Sequence, residues 1–491
     1  MDELSHGDIE GLEEFTDADA AVARITEIYD QGAETIRTAF EAMARGGDAK
    51  AKEVTKACYP YVGIRIGPDE TYTDSRIAYG AIADSGVYGT TLTRPDLFGD
   101  YYRSQLEHLL KNHGVPVVVG VSAEPIALPF VVEDSTAEVT PEEMQEIQKY
   151  FTLPDLFVID DAIANGTYTP PPGTPKPLAL FTAPRVDYSV NRLSHYTATS
   201  VEHFQRFVLF TNYQRYVDEF VDHGLEAVAS GDEYAAFVEP GEVITRNPRL
   251  GPGGSSGTAP QHLPQMPAYH LVREDKLGVT LVNIGVGPSN AKTATDHIAV
   301  LRPHAWLMIG HCAGLRRSQR LGDYVLAHAY VREDRVLYQD LPLWAPIPAL
   351  AEIQVALQQA VEQVTGLHGN DLKTRMRTGT VASTDNRNWE LRYDELFRRL
   401  NQARTIAVDM ESATVAANGF RFRVPYGTLL CVSDKPAHGE IKMRSMANVM
   451  YRESISQHLK IALEAVRILR DGGVDQVHSR KLRSFDEPAF R

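Results

Sequence analysis

Ala407-Val408-Asp409-Met410-Glu411-Ser412-Ala413, followed by Leu430-Cys431-Val432-Ser433-Asp434, decides how the rest of the chain is read. The first stretch sets a carboxylate where an apolar strand gives way to a helix. The second ends another apolar strand on a Ser-Asp pair. The interval between Glu411 and Asp434 holds one helix and one strand. The unit is therefore strand–helix–strand, with an acid at the carboxyl end of each strand. Open α/β sheets bind their ligands at those ends. Two carboxylates there point to acid chemistry on a polar small molecule. The alternative is structural: Asp409 as a helix cap and Ser433-Asp434 as a turn.

Working outward, the same alternation recurs. Phe207-Val208-Leu209-Phe210 leads into a helix over Tyr213–His223, with Thr211 or Asn212 as its cap. Val279–Ile284 leads through Gly285-Val286-Gly287 into a helix over Asn290–Leu301. Ala305–Ile309 leads into Gly310-His311-Cys312-Ala313-Gly314, read as a second glycine turn with His311 where the strand ends. Helices are expected over Ala349–Val364 and Met446–Asp471. Apolar strands alternating with helices imply a buried, largely parallel sheet.

The other half differs. Residues 1 to about 60 read as helical, with Ile25, Ile28, Tyr29, Ile36 and Phe40 near helical period. Tyr61–Ile66 and Gly86–Thr93 alternate like antiparallel strands, followed by a helix over Leu97–Asn112 and the strand Pro116–Val121. Pro170-Pro171-Pro172-Gly173-Thr174-Pro175 fits neither a sheet interior nor a helix and reads as a stiff linker. The expected organisation is an N-terminal α+β domain at 1–165, a linker at 166–180, an α/β domain at 181–475 and a tail at 476–491. Pro248–Pro267 reads as a mobile surface loop inside the second domain.

Composition narrows the function. A chain of 491 residues needs more than one core. A net charge of −16 argues against general nucleic-acid binding, which needs a basic surface. The apolar segment Val115–Val132 is broken by Glu124, Pro125 and Pro129, so no membrane partner is expected. Three cysteines, Cys58, Cys312 and Cys431, make neither a disulfide framework nor a zinc spacing. Free buried thiols and a cytoplasmic location follow, with no metal site.

Each candidate residue has a plain structural alternative. Gly285 and Gly287 let backbone N–H groups approach an anion or sugar, or simply make a tight turn. His311 is a ligand-edge histidine or a core one. Arg215 is an anion clamp or a solvated helix residue. Trp389, after Ser383-Thr384-Asp385, stacks on a base or fills the core.

Several segments in order resemble the nucleoside phosphorylase/nucleosidase superfamily, and within it the branch that acts on AMP. They are Arg185–Thr197, Phe207–Phe220, Gly285-Val286-Gly287, Gly310–Leu315, Val408–Ser412 and Ser433-Asp434. The likeness covers about 185–475. It implies a three-layer C-terminal domain of that type and an N-terminal domain that is regulatory. The implied reaction is hydrolysis of the AMP N-glycosidic bond to adenine and ribose 5-phosphate, in purine salvage. Phosphate-dependent cleavage, or a non-catalytic nucleotide sensor on the same fold, stay as alternatives.

The resemblance also implies roles. Glu411 holds the ribose hydroxyls, with Met410 under the sugar. Asp434 protonates N7 of the purine beside Ser433, which asks for a carboxyl kept protonated by burial or a like charge. His195 sits near the ribose 5′ position, Arg215 in the phosphate or nucleophile pocket. Arg185, Arg192 and His195 are candidates for the 5′-phosphate, with Lys442 and Arg444 behind them. Phosphorylases carry arginine at the position of Met308 and serine at that of His311. A phosphate nucleophile needs cationic clamping, so these departures favour water, oriented by His311. No cofactor is required for the chemistry. MgATP as activator, phosphate as inhibitor and a homohexamer are expectations from the resemblance alone.

Overall fold

In the computed structural model, strands that read as continuous apolar runs lie buried on both faces. Residues 9–45, 56–71, 79–132, 139–441, 449–473, 476–477, 482–484 and 486–491 are described. Lys442 and Arg444 lie outside them. The chain divides into two units, Met1–Arg192 with Ser484–Arg491, and Leu193–Arg483.

The first unit holds β1 (Glu10–Phe15), α1 (Ala18–Ala44), β2 (Cys58–Ile66), β3 (Gly86–Thr91), α2 (Pro95–His113), β4 (Val117–Pro125), α3 (Pro141–Ile147), β5 (Lys176–Pro177) and the start of α4 (Ala183–Thr197). Its sheet runs β1-β4-β2-β3-β5. β2 and β3 pair antiparallel, as their alternation implies. Asp17 caps α1 by accepting from the Ala20 N–H at 2.9 Å. Ile25, Ile28, Tyr29, Ile36 and Phe40 form its buried face, each stabilising the fold by about 1.5–3 kcal/mol. The expectation of helix throughout residues 1–60 fails at Glu10–Phe15. That acidic hexapeptide pairs with β4 at the sheet edge, where outward charge is tolerated and guards against aggregation. The last residues join this unit: the Phe490 N–H donates to the Leu178 carbonyl at 2.9 Å, and Phe490 is fully buried. The run Pro170–Pro175 lies within the same unit.

The second unit holds β6 (Phe207–Thr211), α5 (Gln214–Ser230), β7 (Ala236–Glu239), β8 (Val243–Arg246), β9 (Gly254–Ser256), β10 (Ala268–Val272), β11 (Val279–Asn283), α6 (Pro288–Ile298), β12 (Ala305–Gly314), β13 (Tyr324–Glu333), α7 (Ala351–Thr365), α8 (Gly369–Arg375), β14 (Met376–Thr384), α9 (Tyr393–Gln402), β15 (Thr405–Asp409), α10 (Ser412–Phe422), β16 (Tyr426–Asp434) and α11 (Val449–Asp471). They make one mixed sheet, β15-β14-β13-β16-β12-β6-β11-β10-β7-β8-β9. β16, β12, β6 and β11 run parallel. The strands from β10 to β9 are antiparallel. β15 also pairs back on β12, so β15, β14, β13, β16 and β12 close into a ring. Tyr426 packs on Gly419 of α10, while its neighbour Gly427 packs on Ile353 of α7. Successive strand residues face opposite ways, so the sheet lies between two helical layers.

Two readings are corrected here. Gly310–Gly314 is not a turn: β12 continues unbroken to Gly314, paired with β16 and, at its end, with β15. Glycine serves there for clearance. Part of Pro248–Pro267 is ordered as β9, extending the hairpin of β8.

Candidate active site

The two carboxylates come together through β12. Its Ala313 stands opposite Asp434 of β16 on one side and Val408 of β15, just before Asp409, on the other. Residues read as separate strand ends therefore flank one strand end.

Glu411 occupies the N-cap position of α10, with non-helical φ −126° and ψ −33°. It is 1% exposed. Its Oε1 accepts from the Gly287 N–H at 2.6 Å and its Oε2 from Asn212 Nδ2 at 2.9 Å. The Gly285-Val286-Gly287 turn has φ of +68° and +114° at its glycines, conformations that disfavour a side chain. The turn opens α6, and one of its N–H groups is aimed at a carboxylate of the chain itself. Burial, and next the neighbouring Asp409, push the Glu411 pKa up; the Gly287 and Asn212 donors pull it down.

Asp409 is buried as well. Its Oδ1 accepts from Ser383 Oγ at 2.5 Å, and its Oδ2 from the Ser412 N–H at 2.9 Å and from the Ser412 hydroxyl. Ser383 Oγ accepts in turn from the Ala413 N–H at 2.8 Å. The first turn of α10, whose N–H groups lack intrahelical partners, is thereby fixed from β14 and β15. Burial raises the Asp409 pKa against these hydrogen bonds.

Asp434 is partly buried at the end of β16. Ser433 Oγ donates to its Oδ1 at 2.7 Å. Lys435 follows, buried, and its Nζ meets Glu440 Oε1 at 2.7 Å. His311, on β12 opposite Cys431, has its ring 4.8 Å from Tyr213 and 5.6 Å from Tyr216. Arg215 is partly buried in the first turn of α5. Met308 is buried in mid-strand, opposite Phe210 and Thr428. Met410 is partly buried between Asp409 and Glu411.

Four further candidates have surroundings of their own. Trp389 is core: it packs with Ala313, Ala382, Leu396, Leu400 and Val408, so it has no face for a base. Arg185 lies in the first unit, 5% exposed, with its Nε 2.8 Å from Asp161 Oδ1 and a second bond to Ser189. Its charge is neutralised there, which removes it as an open phosphate cation. Arg192 also belongs to the first unit. His195 is exposed, edge-on to Tyr196 at 5.4 Å, and Tyr196 stacks on His297.

Asn212 and Asp409 were not singled out by sequence as site residues. Tyr213, not Thr211 or Asn212, takes the N-cap position of α5, with no side-chain cap. Asn212 spends its amide on Glu411 instead. A polar residue at a strand end that does not cap its helix is the signal that was there to find.

The acids thus lie at the ends of two strands, β15 and β16, that both pair with β12 in a mixed sheet between helical layers, the α/β class whose ligands bind at strand ends. Two family models match the chain: Bacterial AMP nucleoside phosphorylase N-terminus over residues 20–175, and Phosphorylase superfamily over residues 260–469. AMP nucleosidase of Escherichia coli (strain K12) is 47% identical over 477 residues, spanning 96% of this chain and 98% of that protein. The 5′-methylthioadenosine/S-adenosylhomocysteine nucleosidase of Desulfotalea psychrophila is 24% identical, spanning 42% of this chain and 86% of that protein. The solved AMP nucleosidase from Bacteroides thetaiotaomicron is 28% identical, spanning 58% of this chain and 98% of that one, with a TM-score of 0.43. The chain belongs to the AMP nucleosidase family.

Proposed function

We propose that the chain hydrolyses the N-glycosidic bond of AMP, giving adenine and ribose 5-phosphate. The observation that carries the mechanism is the meeting of β15 and β16 on Ala313, which sets Glu411 and Asp434 at one sheet edge. The relative from Escherichia coli, alike along nearly the whole chain, supports AMP as the substrate.

Breaking this bond builds positive charge on the ribose and negative charge on the leaving purine. Asp434 gives a proton to N7, and adenine leaves neutral. Ser433, donating to Oδ1, leaves the other oxygen to carry that proton. Glu411, as an anion, accepts from the ribose hydroxyls and stabilises the cationic sugar electrostatically. Water, oriented by His311, adds to C1′; the proton it loses passes to solvent, from which Asp434 regains the one given to N7. Met410 packs under the sugar, and Arg215 and His195 serve the phosphate. Met308, an apolar side chain in the sheet core, supplies no cation to hold a phosphate nucleophile.

MgATP as activator, inorganic phosphate as inhibitor, a regulatory first unit and a homohexamer belong to the same proposal, supported by the superfamily resemblance, and a cytoplasmic location joins them on the cysteine pattern. AMP turnover by the full chain in phosphate-free buffer, with products identified, tests the chemistry. Adenine and ribose 5-phosphate are expected. A requirement for phosphate, with ribose 1,5-bisphosphate as product, would overturn it. Adding MgATP to the same assay is expected to raise the rate, and an unchanged rate removes the activator.

A further inference from the structure

Glu411 has to present its carboxylate in one orientation to grip two hydroxyls. The terminal torsion of a glutamate is broad and two-fold, so burial alone does not set it. Two donors from different strand–helix junctions do. The Gly287 N–H holds Oε1, and Asn212 Nδ2 holds Oε2. The first is main chain. The second is a side chain, and its amide can face Glu411 only through nitrogen, because a carboxylate accepts and does not donate.

The other end of that amide is placed too. Asn212 Oδ1 lies 3.3 Å from where a Cβ on Gly310 would stand. A side chain on Gly310 would crowd the amide. Asn212 is thus seated between β12 and the N-terminus of α10, directly after the buried end of β6.

We propose that Asn212 is a positioning residue that sets how Glu411 grips the ribose, and with it the discrimination between AMP and 2′-deoxyAMP. The inference rests on the reading of Glu411 as the sugar carboxylate. Asn212 touches no substrate atom in this account; it acts through Glu411. A hydrogen bond to a charged group that is lost on truncation is on the order of tenfold or more in a binding constant, and it should appear where the hydroxyl is present.

The test compares kcat/KM for AMP and 2′-deoxyAMP in the full chain, in Asn212→Ala, in Glu411→Gln and in the double variant. Asn212→Ala is expected to lower the AMP to 2′-deoxyAMP ratio by about tenfold, through loss on AMP. In the Glu411→Gln background the same change is expected to shift that ratio by less than about threefold, since the two residues act as one unit. Asn212→Asp, of the same shape but without the donor, is expected to lose discrimination too, and serves if the alanine variant does not fold. Equal losses on both substrates, with the ratio intact, would make Asn212 merely structural and overturn the proposal. Unchanged discrimination in Glu411→Gln would instead remove the sugar reading of Glu411 itself.

Discussion

Glu411 is buried beside a second carboxylate, and both circumstances disfavour its charge. Yet the ribose grip proposed for Glu411 needs the anion. Protonation of Glu411 should therefore abolish activity, and kcat/KM should fall as pH drops through a pKa raised above the usual carboxylate range of about 4.3. Asp409→Asn removes the like charge, so the acid limb of the pH profile is expected to move to lower pH. A limb that stays in place or moves upward in that variant contradicts the coupling. At this scale the sequence was informative where the local pattern carries the residue: Glu411 after an apolar strand, Asp434 after another, Gly287 at a helix start. It was silent on Asn212 and Asp409. Asn212 meets Glu411 from 199 positions away, and no periodicity encodes such a contact. Trp389 and Arg185 stayed open for the converse reason. An aromatic or a cation reads the same in a local pattern whether it is open to ligand or, as here, packed in a core or paired with Asp161.

β12 shows how an element is misjudged by composition. Its last residues, Gly310 to Gly314, look like a turn, because glycine usually marks one. Two partner strands reach that end, β16 and β15, and their hydrogen bonds keep it extended. Glycine leaves room there for Asn212 at Gly310, and for Val432, Gln319 and Lys435 at Gly314. The extension sets His311 on a strand, opposite Cys431 and against Tyr213 and Tyr216. The N-terminus of α10 is the other element on which the site depends. Ser383 bridges Asp409 and the Ala413 N–H, so Ser383→Ala leaves two buried groups short of a partner. A loss of about 1–3 kcal/mol in denaturant unfolding is expected. A loss near zero would mean that α10 is held by its apolar packing alone. The edge strand β1 escaped sequence reading because an exposed acidic segment carries no strand-like alternation, and pairing with β4 is a tertiary event.

For the molecule as a whole, the division into an N-terminal α+β part and a sheet between helical layers was legible, since period and apolar runs report layer architecture directly. The ring closure of β15 on β12 was not, because it depends on strand order. The first unit has a chemistry of its own in Asp187, which is fully buried and accepts from Tyr59 Oη and Thr93 Oγ1, each at 2.7 Å. Burial pushes its pKa up to about 7 against those bonds. An unfolded aspartate titrates near about 3.9. Between the two values the folded chain keeps a proton that the unfolded chain has released, so stability declines as pH rises through this window. Asp187→Asn is expected to flatten that decline in thermal unfolding followed from about pH 4 to about pH 7. An unchanged slope would place the pH dependence elsewhere.

In the proposed reaction Asp434 is the acid that lets adenine leave. Turnover of AMP by Asp434→Asn, measured beside AMP binding by the same protein, tests it most directly. A loss of more than about a hundredfold in kcat, the scale of general acid catalysis, is expected, with AMP still bound. Near-normal turnover in that variant would contradict it.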